Sequence, residues 1–499
     1  MAVPGAGARA GRRAGRGPDV AVVGSGPNGL AAAVTMARAG LRVELYEAAP
    51  QVGGGLRSAP IFRDDVLHDI CASVHPMALA SPFLRQFDLP AHGVELLVPE
   101  VGYAHPLDGT RAAVAYRSLE RTCAGLGADG PRWRALMEPL VRHSGAVVDL
   151  MLLGRSRLPA GAAAPALLGR RVLAHGTRAA GHRFAGPEAA ALLAGVAAHV
   201  VGPLPSLTGA AVAMMLGHLA HTEGGWPLVR GGSGRLADAL AAELVRLGGR
   251  IVTGTRIDDL REVADARVVL LDLAPKEFLR LAGPLLPAGY RRSLRSYRYG
   301  PGAAKVDYLV SEPVPWAAPE ARRAGTVHLG GSEQEIFRAE RLVADGVRPP
   351  DPFVLVVDPA VTDPGRAAGR LRPVWAYAHV PHGDPADPVE LVTRRIERWA
   401  PGFRDTVVAS RGLSAAQLEL YNPNYVGGDI AAGALTLRQS VLRPAPRWNP
   451  YRTPLPGTYL CSASTPPGPG VHGMCGFLAA RSALAREFGI RIPADAAWI

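Results

Sequence analysis

The sequence predicts an α/β protein: a parallel sheet covered by helices, interrupted by an inserted mixed sheet and a helical cap. Three observations predict it. A buried strand, a glycine turn and a helix follow one another from Asp19 to Ala39. A second strand, a Gly/Pro-rich loop and a helix stand near the other end, from Tyr459 to Phe488. Between them, apolar helical stretches give way to alternating, strand-like ones, so the material separating the two ends has a layer pattern of its own.

Bulk properties bound the class. The chain has 499 residues, more than one hydrophobic core usually supports. Apolar residues make up 48% and charged residues 20%, the balance of a soluble globular protein. The net charge is +12, but Arg9, Arg12, Arg13 and Arg16 sit in a tail and the remaining cations are scattered, which argues against a nucleic-acid partner. A basic body of this kind is compatible with peripheral contact on an anionic membrane. Cys71, Cys123, Cys461 and Cys475 show neither CxxC nor zinc-finger spacing, and free thiols in a reducing, cytoplasmic compartment are expected. No metal is expected, because no His/Glu cluster has ligand spacing. The longest apolar region, about 186–220, is broken by Pro203 and Pro205, so no membrane-spanning helix is expected.

The N-terminal unit carries the first chemistry. Asp19 to Val23 reads as a buried strand, followed by Gly24-Ser25-Gly26-Pro27-Asn28-Gly29, a helix from Leu30 to Ala39, the cap Gly40, and a second strand from Leu41 to Tyr46 ending at Glu47. This is the βαβ dinucleotide fingerprint in its structural context. Gly24 makes the tight turn, Gly26 lets the backbone approach a diphosphate, and Gly29 lets the helix pack on the strand. The helix N-terminus offers unpaired N–H groups and a positive dipole end. Glu47, 21 residues after Gly26, stands where a carboxylate takes ribose hydroxyls. The decoy Gly5-Ala6-Gly7 has no strand before it.

Gly53-Gly54-Gly55-Leu56-Arg57 follows the acid after five residues. It resembles the extension of flavoproteins of the amine oxidase and phytoene desaturase kind, in which glycines pass close to the diphosphate; Arg57 would balance its charge. The C-terminal stretch from Gly457 to Gly476 resembles the flavin motif of phytoene desaturases. Within that superfamily the sequence is most similar to the branch containing pyridine nucleotide-disulfide oxidoreductase domain-containing protein 2. His68-Asp69-Ile70-Cys71, Gly225-Trp226-Pro227, Gly231-Gly232-Ser233-Gly234, Tyr421-Asn422-Pro423-Asn424 and Arg443-Pro444 carry that likeness over about residues 19–490.

The resemblance implies a Rossmann-like FAD-binding domain and FAD as cofactor. It also implies contact with the flavin from Ser464 and from Gly470-Val471-His472-Gly473-Met474, with a helix N-terminus facing N1 and O2. The chain departs from the family at Cys461-Ser462-Ala463-Ser464, where a glycine is usual. A covalent flavin link through Cys461 or Cys475 is left open, at positions the family does not use.

The chain is divided as follows: a disordered basic arm at 1–17, FAD-binding parts at 18–100, 226–285 and 431–499, a helical cap and substrate domain at 101–225, and a substrate-domain sheet at 286–430. Helices are predicted over 117–126, 132–153, 187–201 and 206–220, and 231–247 reads as a glycine turn followed by an amphipathic helix. Strands are predicted over 250–260, 304–309, 326–329, 353–357 and 374–379, with a shortened hairpin between Leu260 and Ala266. By resemblance Ile257 contacts the adenine.

Alternation places Lys305, Asp307 and Leu309 on one strand face. In amine oxidases a lysine on a comparable strand holds a water beside flavin N5, so Lys305 is the first catalytic candidate, with a simple Lys305–Asp307 pair as the alternative. His221 and His379, with His382 beside them, are the acid–base candidates. The expected reaction is hydride transfer from an apolar small molecule to FAD, as in a desaturase, dehydrogenase or oxidase. A flavin-dependent double-bond isomerase and a non-catalytic, FAD-stabilised interaction protein are the alternatives. The apolar cap would suit a homodimer or a membrane contact.

Overall fold

The computed structural model describes residues 17–153, 162–177 and 184–492; the basic arm lies outside them apart from Gly17. Val20–Val23 is buried at every position, as a strand covered on both faces must be. It is the centre of a five-stranded parallel sheet, in the order Thr458–Leu460, Val268–Leu271, Val20–Val23, Val43–Tyr46, Arg250–Val252. Three distant parts of the chain therefore share one sheet, in the α/β arrangement expected.

The fingerprint helix, Pro27–Arg38, begins with Pro27 in its first turn, where the missing N–H has no partner to lose, and is buried from Asn28 to Ala37. It lies against the C-terminal helix Met474–Ala483, and the contact is backbone to backbone. A Cβ added at Gly476 would stand 1.8 Å from the Asn28 carbonyl oxygen. That C-terminal helix does not run on to Phe488 as a single α-helix. It ends in a π-turn, Leu484–Phe488, closed by Gly489 with φ +72°.

The strand predicted over 250–260 stops at Val252. In place of the shortened hairpin, Asp259 and Glu262 form a capping box around a 3₁₀ turn, Leu260–Val263. Asp259 and Glu262 have the capping-box spacing, so the signal was present in the residues.

The second sheet has seven strands, in the order Val407–Leu413, Gly302–Val310, Arg372–Val380, Val354–Val357, Thr326–Leu329, Val101–Asp108, Arg111–Tyr116. Its last two strands form a hairpin joined by Gly109 and Thr110, at the start of the stretch assigned to the helical cap and substrate domain. The two-residue Gly-containing loop between apolar runs explains the hairpin. The register puts Lys305, Tyr377, Leu355 and His328 in one cross-strand row, with Asp307, Trp375, Val357 and Thr326 in the next. The opposite face, including Val306, Tyr308, Val356 and Ala376, packs on Val392, Ile396 and Trp399 of the helix Val389–Trp399.

The cap comprises Gly130–Arg142, Ser144–Leu152, Ala163–His175, Pro187–Ala197 and Leu207–Leu219. The single helix predicted over 132–153 breaks at His143, and Pro139 lies in the turn before the break. Proline has no N–H to give the carbonyl of Ala135. Buried Arg171, from the next helix, supplies that donor: Nη2 reaches Ala135 O at 2.8 Å and Nε reaches Leu136 O at 2.8 Å. No described helix is long and apolar enough to cross a membrane.

Two glycine substitutions should separate packing from helix propensity. Gly476→Ala, forced against the Asn28 carbonyl, should destabilise the protein by about 1–3 kcal/mol in urea unfolding. Gly169→Ala, in a helix with nothing within 4 Å of the new methyl, should stabilise it by up to about 1 kcal/mol.

Candidate functional site

In a parallel sheet, ligands bind beyond the carboxyl ends of the strands, at the point where the strand order reverses. Here that point lies between Val20–Val23 and Val268–Leu271. A cavity of about 920 Å³ opens there and continues toward the second sheet and the cap. Its wall takes Gly24 to Asn28 and Glu47 from the first segment, Ile257 and Asp272 from the middle, and Gly470 to His472 from the end.

The glycine turn is built as its spacing required. Gly24 has φ +94°, a backbone state that side chains rarely adopt. A Cβ on Gly29 would stand 2.0 Å from the Gly24 carbonyl oxygen, so the helix packs on the turn only because Gly29 has none. Gly54 packs in the same way on the first turn, 2.9 Å from the Gly26 Cα by the same measure. Gly26 caps the fingerprint helix with no side chain, and no acid stands in the first turn. The Asn28 side-chain oxygen is buried with no hydrogen-bond partner. An uncapped helix N-terminus on a glycine-walled cavity fits the diphosphate of a dinucleotide.

Glu47 stands on the wall with both oxygens engaged. Oε2 accepts from Ser25 N at 3.0 Å and from Ser25 Oγ, and Oε1 accepts from Ala49 N at 2.8 Å. Arg57 also lies on the wall and is paired there: its Nη2 donates to Glu47 Oε1 at 3.0 Å and its Nε to the Gln51 carbonyl at 2.9 Å. The guanidinium lies 5.7 Å from the Tyr421 ring centre. Arg57 thus orients the carboxylate expected to meet the ribose.

At the C-terminal side, His472 Nδ1 accepts from Met474 N at 3.0 Å, and the His472 carbonyl accepts from Ser81 Oγ at 2.6 Å. Burial pushes this imidazole down to about 4, so it is neutral and suited to accepting. Several expected contacts lie behind the wall rather than on it. Gly29 and Gly53 shape turns, Leu56 is core, Ser464 donates to the Ala432 carbonyl, and Gly473 with φ +67° turns the chain into the helix that Met474 begins. Cys461 and Cys475 are also off the wall, free and buried, with their thiols pushed up by desolvation.

Asp272 is a site residue that sequence reading passed over. It ends the strand beside Val20–Val23, and its Oδ2 accepts from Gly29 N at 3.0 Å. A Cβ on Gly26 would stand 2.6 Å from the same oxygen. Burial pushes its carboxyl up to about 7. The available signal was an acid at the carboxyl end of a buried parallel strand.

The remainder of the cavity is a chamber between the second sheet and the cap. Met151, Leu152, Val172, Leu207, Val212 and Met215 come from the cap, and Leu355, Val357, Trp375 and Tyr377 from the sheet. Lys305 lines it and is paired with Asp307. His68 Nδ1 stands 3.8 Å from Asp307 Oδ1, and burial, with Lys305 next, pushes His68 down to about 4. His221 and His379, the acid–base candidates, are off the wall. His221 bonds the Tyr116 carbonyl through Nδ1 and accepts from Trp133 Nε1, and His379 Nδ1 meets Glu340 Oε1 at 2.6 Å. His382 is likewise turned to the Gly300 carbonyl. Sequence spacing could not separate these structural histidines from a wall residue it missed, His199.

This fold and cavity define a class: a protein with two large sheets whose N-terminal unit is an NAD(P)-binding Rossmann-like domain, the family that residues 22–87 match. The chain is homologous to mouse pyridine nucleotide-disulfide oxidoreductase domain-containing protein 2, at 24% identity over 92% of each chain. It is also similar to one of the subunits of limonene dehydrogenase from Castellaniella defragrans, at 23% identity over 95% of each. Among solved structures, putrescine oxidase bound to putrescine shares the fold with a TM-score of 0.58, at 18% identity over 94% of this chain and 99% of that one.

The Asp272 carboxyl gives a pH signature. Its folded pKa is raised, so the stability it contributes is present at low pH and lost as pH rises toward 7. In the FAD-free protein, the stability of Asp272→Asn relative to wild type should rise between pH 5 and 7, by up to about 1.4 kcal/mol per pH unit. A difference that stays flat in thermal unfolding across that window would show the carboxyl to be ionised throughout.

Proposed function

We propose that the protein is an FAD-dependent oxidoreductase that removes hydride from a neutral, apolar small molecule. The observation that carries this reading is the continuity of the cavity. A glycine-walled dinucleotide end runs into an apolar chamber whose described wall bears one lysine and no carboxylate. The wall acids are Glu47, Asp272 and Glu277, and all three belong to the dinucleotide end. A protonated amine in the chamber would be a buried charge without a counter-ion, which costs several kcal/mol. The name of the limonene dehydrogenase relative, taken from an uncharged terpene, agrees with this assignment.

Bound FAD would supply the hydride acceptor. The N-terminus of Pro27–Arg38 would hold the diphosphate, Glu47 the ribose, and Ile257 the adenine end. Gly470 to His472 would line the flavin end, where His472 is neutral and adds no charge. The cap helices would cover the chamber and limit its access to bulk water. Lys305, held by Asp307, would donate a hydrogen bond to a water or a substrate oxygen at the reacting end.

Three outcomes test this reading. The purified protein should take up FAD and turn yellow, and Glu47→Ala should weaken that uptake at least tenfold by equilibrium titration. Anaerobic mixing with a neutral terpene alcohol should bleach the oxidised flavin, whereas putrescine should not; bleaching by the diamine alone would overturn the substrate class. Lys305→Met should keep its FAD yet slow bleaching by an order of magnitude or more in stopped flow, and NADPH should reduce the flavin slowly or not at all.

A further inference from the structure

The second sheet turns a set of histidines toward the cap. His199, in the 3₁₀ turn that follows Pro187–Ala197, reaches the chamber wall. Its Nε2 lies 3.1 Å from Nε2 of His328, which is fully buried on the strand Thr326–Leu329. Burial pushes His199 down to about 3 and His328 well below 6.5, so both rings are neutral. Between two neutral rings joined through their Nε2 atoms, one must donate and the other accept.

The neighbouring residues decide which. His105 Nε2 lies 2.7 Å from the Gly331 carbonyl, which can only accept, so this nitrogen carries the proton and the Nδ1 of neutral His105 is bare. That bare nitrogen faces Gly195 in the middle of the helix Pro187–Ala197, where an added Cβ would stand 2.8 Å from it. His328 Nδ1 faces the same glycine, 3.0 Å from that Cβ position, and neither Nδ1 has a hydrogen-bond partner. A bare nitrogen tolerates a Cα–H neighbour better than a buried N–H does. His328 therefore carries its proton on Nε2 and donates it to His199 Nε2. His199 is then protonated on Nδ1, the ring nitrogen left for a bound molecule.

The sheet register gives the distance. Lys305 and His328 are the ends of the row Lys305–Tyr377–Leu355–His328, three strand spacings apart, or about 14 Å. Trp226 closes the wall beside His199, with ring centres 5.6 Å apart.

We propose that His199, oriented by His328, is an N–H donor at the end of the chamber remote from Lys305, and that it holds the oxygen of a hydroxyl or carbonyl group on an elongated, otherwise apolar, uncharged substrate. His199 is the binding residue and His328 the positioning residue. The assignment rests on the chamber being the substrate site of the proposed oxidoreductase, and it narrows that substrate to one carrying an oxygen remote from the reacting end.

The FAD-loaded protein is titrated with farnesol, farnesal and farnesene, and binding is followed by tryptophan fluorescence, since Trp226 and Trp375 line the chamber. The readout is binding itself, taken before any bleaching of the flavin, and no turnover is needed. Farnesol and farnesal should bind about three- to tenfold more tightly than farnesene, the range of one neutral hydrogen bond. His199→Leu should abolish that preference while farnesene affinity and FAD content are kept. His199→Gln, which retains a donor, should restore part of it, and His328→Phe should reduce it. Equal affinities in the wild type, a preference that survives His199→Leu, or no binding of any of the three would overturn the proposal. A protein that shows the preference yet is never bleached anaerobically would refute the redox reading and leave the anchor standing.

Discussion

Close backbone contact at the fingerprint helix is the constraint on which the rest depends. Gly29 lies on the Gly24 carbonyl, Gly54 on the Gly26 backbone, and Gly476 on the Asn28 carbonyl. Each is a place where a single methyl group would collide with main chain. The contacts bring the first turn, its double-glycine extension and the C-terminal helix within backbone distance of one another. With those three segments joined, the strands beside them have one position available, and the cavity at their carboxyl ends follows. The hydrophobic effect drives the collapse of this core, but it is non-directional; the missing side chains decide how closely the segments approach.

Around that centre, charge is sorted by place. The dinucleotide end holds the wall acids, each tied to a donor: Glu47 to Ser25 and Arg57, Asp272 to Gly29, Glu277 to Arg256 and Arg280. Beneath the cavity, buried Asp69 accepts from Ser58, Ser73, the Ser233 backbone and Arg366, and so ties residues from four separate segments together. The far chamber carries neutral imidazoles and indoles. Such an arrangement would suit a charged cofactor at one end without presenting a carboxylate to an apolar molecule at the other. Low dielectric raises the cost of an unpaired charge in the chamber and also strengthens any single hydrogen bond made there.

Much of this was legible in the residues because it is local. The strand–glycine–helix order, Pro27 in the first turn, Pro187 opening its helix and the strand Thr326–Leu329 all follow from period and turn chemistry. The Lys305–Asp307 neighbourhood follows from alternation. What went astray depended on partners distant in the chain. Which sheet takes the hairpin Val101–Asp108 and Arg111–Tyr116, in the stretch read as helical cap and substrate domain, is decided by the strand Thr326–Leu329 beside it. His221 and His379 are indistinguishable from catalytic histidines until Trp133 and Glu340 are found against them.

By itself, then, the order of residues determined that a dinucleotide turn exists, which glycines form it, and that two ends of the chain must meet to complete it. Those are statements about backbone conformation and periodicity, and they need only near neighbours. The tertiary structure alone decided that Asp272 joins the site, and that His199 rather than His221 or His379 faces the chamber. Each of these turns on which side chain fills the space opposite, and that is set by strand order and register across hundreds of residues, to which no local pattern has access.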